Sequence, residues 1–241
     1  MSTLKDKVAI ITGASGGIGA AIAVALANEG ARLCLVGRDR ERMAAVTNEG
    51  RKHTAHISVY QADFEVDDDI RRIGTELQGE FEAIDILIHS AGAIAVGGIE
   101  TTGIEAFDRQ YRINVRAPYL LTQILLPLLR RRSGQIVFIN SSAGLTAKAG
   151  AGPYAATKHA LKAIADSLRA EVNKDGIRVI SVYPGRTASP LQAAVHDVEG
   201  KPYHPEKLLQ PRDVASVVLH ALSLPRSAEV TDISVRPLIK P

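Results

Sequence analysis

The sequence predicts an α/β fold: one domain built on a doubly wound parallel sheet, with helices on both faces. Short β-branched runs alternate with stretches of helical length along the whole chain. Right-handed crossovers turn that rhythm into a parallel sheet covered on both sides. The first run feeds a glycine-rich turn, Thr12-Gly13-Ala14-Ser15-Gly16-Gly17-Ile18-Gly19, which opens into a helical pattern. The composition agrees, since 241 residues with 46% hydrophobic and 23% charged side chains suffice for one sizeable core and exclude wholesale disorder.

Taken in order, residues 8–12 form the first strand and 17–29 the helix that the glycines start. Residues 32–36 are the second strand and 39–51 the next helix, where Asp39 has the chemistry of an N-cap. Strands at 57–61 and 84–89 bracket a helix at 67–81. A long helical region at 104–131 ends in Arg130-Arg131-Arg132, cations that suit a helix C-terminus and stay in water. Strand 135–140 leads to a helix at 154–174, where Leu161, Ile164, Leu168 and Val172 make one apolar stripe and Gly176 supplies a stop. Strand 178–183 ends at Pro184. The segment 185–210 carries Pro190, Pro202 and Pro205 with no sustained periodicity, so it reads as an irregular substrate-binding lid. Pro211 opens a helix at 211–223, and 232–236 closes the sheet. No repeat or long linker divides the chain, so residues 1–241 are read as a single domain.

The single cysteine, Cys34, lies in an apolar run without a disulfide partner, and residues 1–7 lack the pattern of a signal peptide. No run reaches the ~18 apolar residues of a spanning helix. These features lead to the expectation of a cytoplasmic protein that binds no membrane. A formal charge of +3, spread along the chain, gives no footprint for nucleic acid. No His/Cys/acid cluster has metal-ligand spacing, so no metal is expected.

The glycines at 13, 17 and 19 fall between strand and helix, where the tight turn needs unusual backbone angles and side chains would keep a pyrophosphate from a helix N-terminus. Ser15 and Ile18 lie in the same turn. Cofactor choice falls to the tip of the second strand. Gly37 leaves no carboxylate there to hold a ribose hydroxyl, while Arg38 offers a forked cation to a 2′-phosphate. NADP(H) is therefore favoured over NAD(H). Asp39 keeps NAD(H) open, since it can accept the hydroxyl instead of capping the helix.

Tyr154 and Lys158 stand one helical turn apart in Tyr-Ala-Ala-Thr-Lys, and Ser141 lies thirteen residues before the tyrosine. A tyrosine of ordinary pKa ~10 exchanges protons poorly near neutrality, and a neighbouring cation favours its phenolate. Ser141 is placed just past the fifth strand, where its hydroxyl can hold a developing oxyanion.

Together these residues resemble the classical short-chain dehydrogenase/reductase family along essentially the whole chain. The matching landmarks are the turn 12–19, Asp63 with Phe64 after strand three, Ala91-Gly92 after strand four, Asn114, Ser141, Tyr154, Lys158 and Pro184-Gly185. The resemblance implies a Rossmann-type fold and hydride transfer between a nicotinamide and a small-molecule carbonyl or alcohol. It makes Tyr154 the acid/base, Ser141 the partner of the substrate oxygen, Lys158 the group that grips the nicotinamide ribose, and Asn114 the anchor of a proton path at a helix irregularity. Thr187 would offer its backbone to the carboxamide. It also implies a homodimer or homotetramer, packed through the helices near 104–131 and 154–174.

The chain departs from the family at three places. The usual Asn-Asn-Ala-Gly reads His89-Ser90-Ala91-Gly92, so Ser90 supplies one hydrogen bond where an amide supplies both kinds. His89 is expected to be structural. Pro184-Gly185-Arg186-Thr187 shortens the usual Pro-Gly-x-x-x-Thr and leaves Ser189 at the last position. Residues 229–241 lack the glycine pair of the members that reduce carrier-bound 3-keto groups. Two other readings stay open: an NAD-linked alcohol or sugar dehydrogenase, and a non-catalytic NADP(H)-sensing regulator.

Overall fold

The computed structural model describes residues 3–239, so Met1, Ser2, Lys240 and Pro241, which the readings of the two ends include, lie outside the described residues. Seven strands form one sheet in the order β3-β2-β1-β4-β5-β6-β7, every pairing parallel: β1 Val8–Thr12, β2 Arg32–Gly37, β3 Ile57–Gln61, β4 Ile86–His89, β5 Gln135–Ile139, β6 Arg178–Pro184 and β7 Asp232–Val235. The helices are α1 Gly17–Asn28, α2 Arg40–Gly50, α3 Asp67–Glu80, α4 Ile104–Tyr111, α5 Ala117–Arg130, α6 Gly152–Val172, α7 Pro190–Val198 and α8 Pro211–Ser223.

Burial on both faces explains why the inner strands read as continuous apolar runs, while β3 and β7 at the edges are only partly covered. On β1, Ile10 packs with Ile70 and Ile73 of α3 and Leu125 of α5, whereas Ile11 packs with Ile22 and Leu26 of α1 and Val218 of α8. Adjacent residues thus serve opposite cores. The strand order reverses between β1 and β4, and a crevice opens at the carboxyl ends of the strands there.

Several expectations change in detail. The region 104–131 is interrupted: Arg112–Arg116 wind as a π-turn between α4 and α5. In α6 the buried stripe is Leu161, Ala165 and Val172, with Leu168 packed beside it; Ile164 stays half-buried. The segment 185–210 is not irregular throughout, because residues 190–198 form α7 and Pro205–Lys207 a 3-10 turn. Ser189 caps α7 by accepting from the Gln192 N–H at 3.1 Å, and Pro190 takes the first turn, where its missing N–H costs nothing. Asp39 does cap α2, Gly176 stops the 173–175 turn at φ 71°, and Gln210 with Asp213 closes a capping box on α8. Of the three arginines, Arg130 ends α5 and pairs with Asp175 at 2.9 Å, while Arg131 donates to the Glu82 carbonyl.

Candidate active site

A cleft of about 1370 Å³ runs across the carboxyl ends of the strands, from the tip of β2 to α7. It is large enough for a dinucleotide beside a small molecule. Gly13, Ser15, Gly17, Ile18, Arg38, Asp63, Phe64, Ser90, Ala91, Gly92, Ser141, Tyr154, Lys158, Pro184, Gly185 and Thr187 all line it. Asn114 and Gly19 do not; both stand behind its wall.

Two glycines of the turn take the unusual backbone angles expected of them, and two of the turn's glycines also admit a close approach of backbone. Gly13 has φ 66°, and a methyl group there would meet the Ala91 backbone nitrogen at 2.6 Å. Added bulk at Gly19 would strike the Gly13 carbonyl. These two glycines let the turn close on the loop after β4. Gly17, at φ 53°, needs glycine for its backbone angle, and Gly16 faces open space. Among the described residues no side chain caps α1, whose N-cap is Gly16. The first-turn N–H groups therefore have no side-chain partner at the cleft, which fits an anionic ligand. Thr12 braces the same loop: its Oγ1 accepts from the N–H groups of Ser90 and Ala91 at 3.1 and 3.2 Å and donates to the Ile88 carbonyl.

At the other end, Tyr154 sits in the first turn of α6 and Lys158 one turn further, buried, with Nζ 5.8 Å from the tyrosine ring centroid. Lys158 Nζ donates to the Ile139 carbonyl at 3.2 Å. Burial pushes the Tyr154 phenol above its ordinary pKa, and a hydrogen bond with Ser141 pulls it back. Burial also brings Lys158 down to about 8. Burial thus disfavours the charged form of each group. Ser141, not the exposed Ser142, meets the tyrosine.

Asn114 lies within the π-turn, fully inside the protein. Its Nδ2 donates to the Ala93 carbonyl at 2.8 Å and to Thr157 Oγ1 at 3.0 Å, while its Oδ1 accepts from the Ala93 N–H at 2.8 Å. Thr157 in turn donates to the Tyr154 carbonyl. Asn114 thereby fastens the loop after β4 to the start of α6, and a π-turn at such a place is a frequent functional device.

Asn140 escaped the sequence reading. It is buried, its Nδ2 donates to the Lys158 carbonyl at 3.1 Å, and its Oδ1 accepts from the Ser141 N–H at 2.9 Å. One side chain thus ties the serine turn to the lysine helix. Its only sequence signal is an amide ending an apolar strand beside Ser141.

Other polar residues have structural partners. His89 is buried, stacked on Phe138 at 5.0 Å, with Nε2 2.8 Å from Thr122 Oγ1. His196 is buried against Tyr203 and bonded to Gln192, and His204 pairs with Glu206. Arg186 pairs with Glu199, linking the loop after β6 to the end of α7. Cys34 is buried and unpaired, its thiol pushed up to about 12 by burial. Among the described residues no metal-holding cluster occurs, and no helix is long and apolar enough to cross a membrane.

A parallel sheet with its cleft at the β1/β4 reversal, a glycine turn into a helix, and a Ser-Tyr-Lys cluster at the far end define a nicotinamide-dependent oxidoreductase. The profile of the short chain dehydrogenase family matches residues 7–200, and the chain belongs to that family. It is 33% identical over 239 residues to an uncharacterized oxidoreductase of Staphylococcus aureus strain USA300, covering 99% of this chain and all of the relative. Among solved structures it resembles an alcohol dehydrogenase of the archaeon Thermococcus sibiricus complexed with 5-hydroxy-NADP, with TM-score 0.88, 26% identity and 98% of each chain covered. It also resembles a metagenomic short-chain oxidoreductase in complex with NADP, with TM-score 0.85, 30% identity and coverage of 99% and 100%.

Proposed function

We propose that this protein is an NADP(H)-dependent reductase or dehydrogenase that interconverts a small-molecule carbonyl and its alcohol, with Tyr154 as the general acid/base. The observation that carries the reading is the Ser141, Tyr154 and Lys158 cluster in the same cleft as the glycine turn. The cofactor, when bound, supplies or accepts the hydride. The uncapped start of α1 and Arg38 would hold its phosphates, while Gly185 and Thr187 would border its nicotinamide end.

In the reducing direction Tyr154 gives its proton to the substrate oxygen as negative charge develops there. Ser141 holds that oxygen by a hydrogen bond, and the Lys158 ammonium lowers the cost of the phenolate left behind. Asn114 acts behind them, keeping the wall at Ala93 and the first turn of α6 in register. Ile94, Val96, Leu191 and Val195 line the cleft and favour an apolar body on the substrate. The exposed Ile104, Tyr111 and Tyr119 on and beside α4 and α5 support association of copies of the chain.

The test is consumption of NADPH and of NADH, followed at the nicotinamide absorbance, against a panel of ketones and aldehydes. The reading expects NADPH-linked turnover with at least one member. Preference for NADH throughout overturns the cofactor assignment, and tight NADPH binding with no turnover on a broad panel points to a nucleotide-sensing role instead.

A further inference from the structure

We propose that Gln110 is a positioning residue for the substrate: from inside α4 it holds the loop after β4 at Ala95, and so sets the apolar wall of Ile94 and Val96 against which the carbonyl compound lies. This role rests on the carbonyl reading above and gives that cleft a specificity-determining residue behind its surface.

Residues 93–97 leave the sheet after β4 and pair with no strand, so their N–H groups have no ladder to join. Every second one is nevertheless held. The Ala93 N–H donates to Asn114 Oδ1 at 2.8 Å, the Ala95 N–H to Gln110 Oε1 at 2.9 Å, and the Gly97 N–H to the Gly150 carbonyl at 2.8 Å. The two residues between, Ile94 and Val96, line the cleft. The spacing suits the two elements: the four residues from Gln110 to Asn114 advance about 6 Å along a helix, close to the ~6.6 Å that two residues of extended chain cover. Gln110 is 1% exposed, and both ends of its amide are engaged, because Nε2 donates to the Ala106 carbonyl at 3.1 Å, one turn back in α4. That second bond fixes the amide, so its oxygen faces the loop. Asn114 pins the loop at Ala93, nearer the reacting groups, whereas Gln110 pins the part that bears the apolar wall. Among the described residues the Ala95 N–H has no other acceptor, so loss of the Gln110 oxygen leaves it unpartnered and lets Ile94 and Val96 shift. Contacts with the apolar body of a substrate are made equally in the ground and transition states, so their loss is read in KM rather than in kcat.

The test is steady-state kinetics of the wild type and Gln110→Leu with NADPH, on the panel carbonyl of highest kcat/KM, together with NADPH titration, thermal melts and amide exchange at Ala93 and Ala95. Leucine is close to glutamine in volume and removes the acceptor. The expected result is a KM raised about tenfold, with kcat and NADPH affinity within about threefold of the wild type. Exchange at Ala95 is expected to quicken about tenfold, while Ala93, still held by Asn114, keeps its rate. Where Gln110→Leu does not fold, Gln110→Met replaces it, with the same expected changes, since it keeps an unbranched chain and lacks the oxygen. Unchanged KM in a folded variant overturns the role, and so does a lower kcat and melting temperature with KM intact, the mark of a merely structural residue. A wild type that turns over no carbonyl of the panel refutes the carbonyl reading and this role with it; an active wild type with an indifferent variant refutes the role alone.

Discussion

Acidification isolates the contribution of one buried side chain, His89. The imidazole is 4% exposed, stacked on Phe138, with one nitrogen 2.8 Å from Thr122 Oγ1, and burial brings its pKa down to about 3. The unfolded chain takes up a proton near pH 6.5, but the folded chain does not until about pH 3. Between those values the unfolded state binds more protons, so folding stability falls as pH falls. At about 1.4 kcal/mol per pH unit, the step from pH 7 to pH 4 removes about 3 kcal/mol through this group alone. Urea unfolding of the wild type and of His89→Asn, at fixed protein concentration and at both pH values, measures it. Asparagine does not titrate. The variant is expected to be less stable at pH 7, having lost the ring stacked on Phe138, yet to lose about 3 kcal/mol less than the wild type on acidification. Equal losses in the two proteins would refute the assignment of acid sensitivity to His89.

Two further substitutions probe the scaffold of the cleft. Gly13→Ala combines a positive φ with a methyl group 2.6 Å from the Ala91 nitrogen, so a thermal melt should show a loss of at least ~2 kcal/mol. A change within ~0.5 kcal/mol would mean that the loop after β4 moves freely. Asn140→Ala frees both the Ser141 turn and the Lys158 carbonyl, and kcat on a substrate from the carbonyl panel should fall about 10- to 100-fold with little change in NADPH affinity. A matching loss of cofactor binding, or a lower melting temperature with kcat intact, would make Asn140 a merely structural residue.

What was legible in the sequence follows from the range of the forces involved. The five inner strands declare themselves because both faces are buried, so residues such as Ile10 and Ile11 are apolar whichever core they serve; β3 and β7, at the sheet edges, are only partly covered and show through their place in the strand–helix rhythm. Tyr154, Lys158 and Ser141 are legible as a group because one helical turn and one strand end fix their neighbourhood. Gly13 is legible as a glycine of the tight turn, but its close approach to Ala91, distant in the chain, is not. Asn140 was hidden for the same reason, since its partner carbonyl belongs to Lys158 on another element. The helix α7 was missed because it is short and lies among prolines, one of which helps to start it.

The central claim is that Tyr154 moves the proton. Tyr154→Phe tests it directly: single-turnover oxidation of NADPH by a carbonyl substrate of the wild type, measured together with NADPH affinity. Loss of a positioned acid should slow turnover by ~10²–10⁴-fold while the dissociation constant for NADPH stays within about threefold. A variant that turns over at a rate comparable to the wild type would contradict the assignment of the acid to this residue.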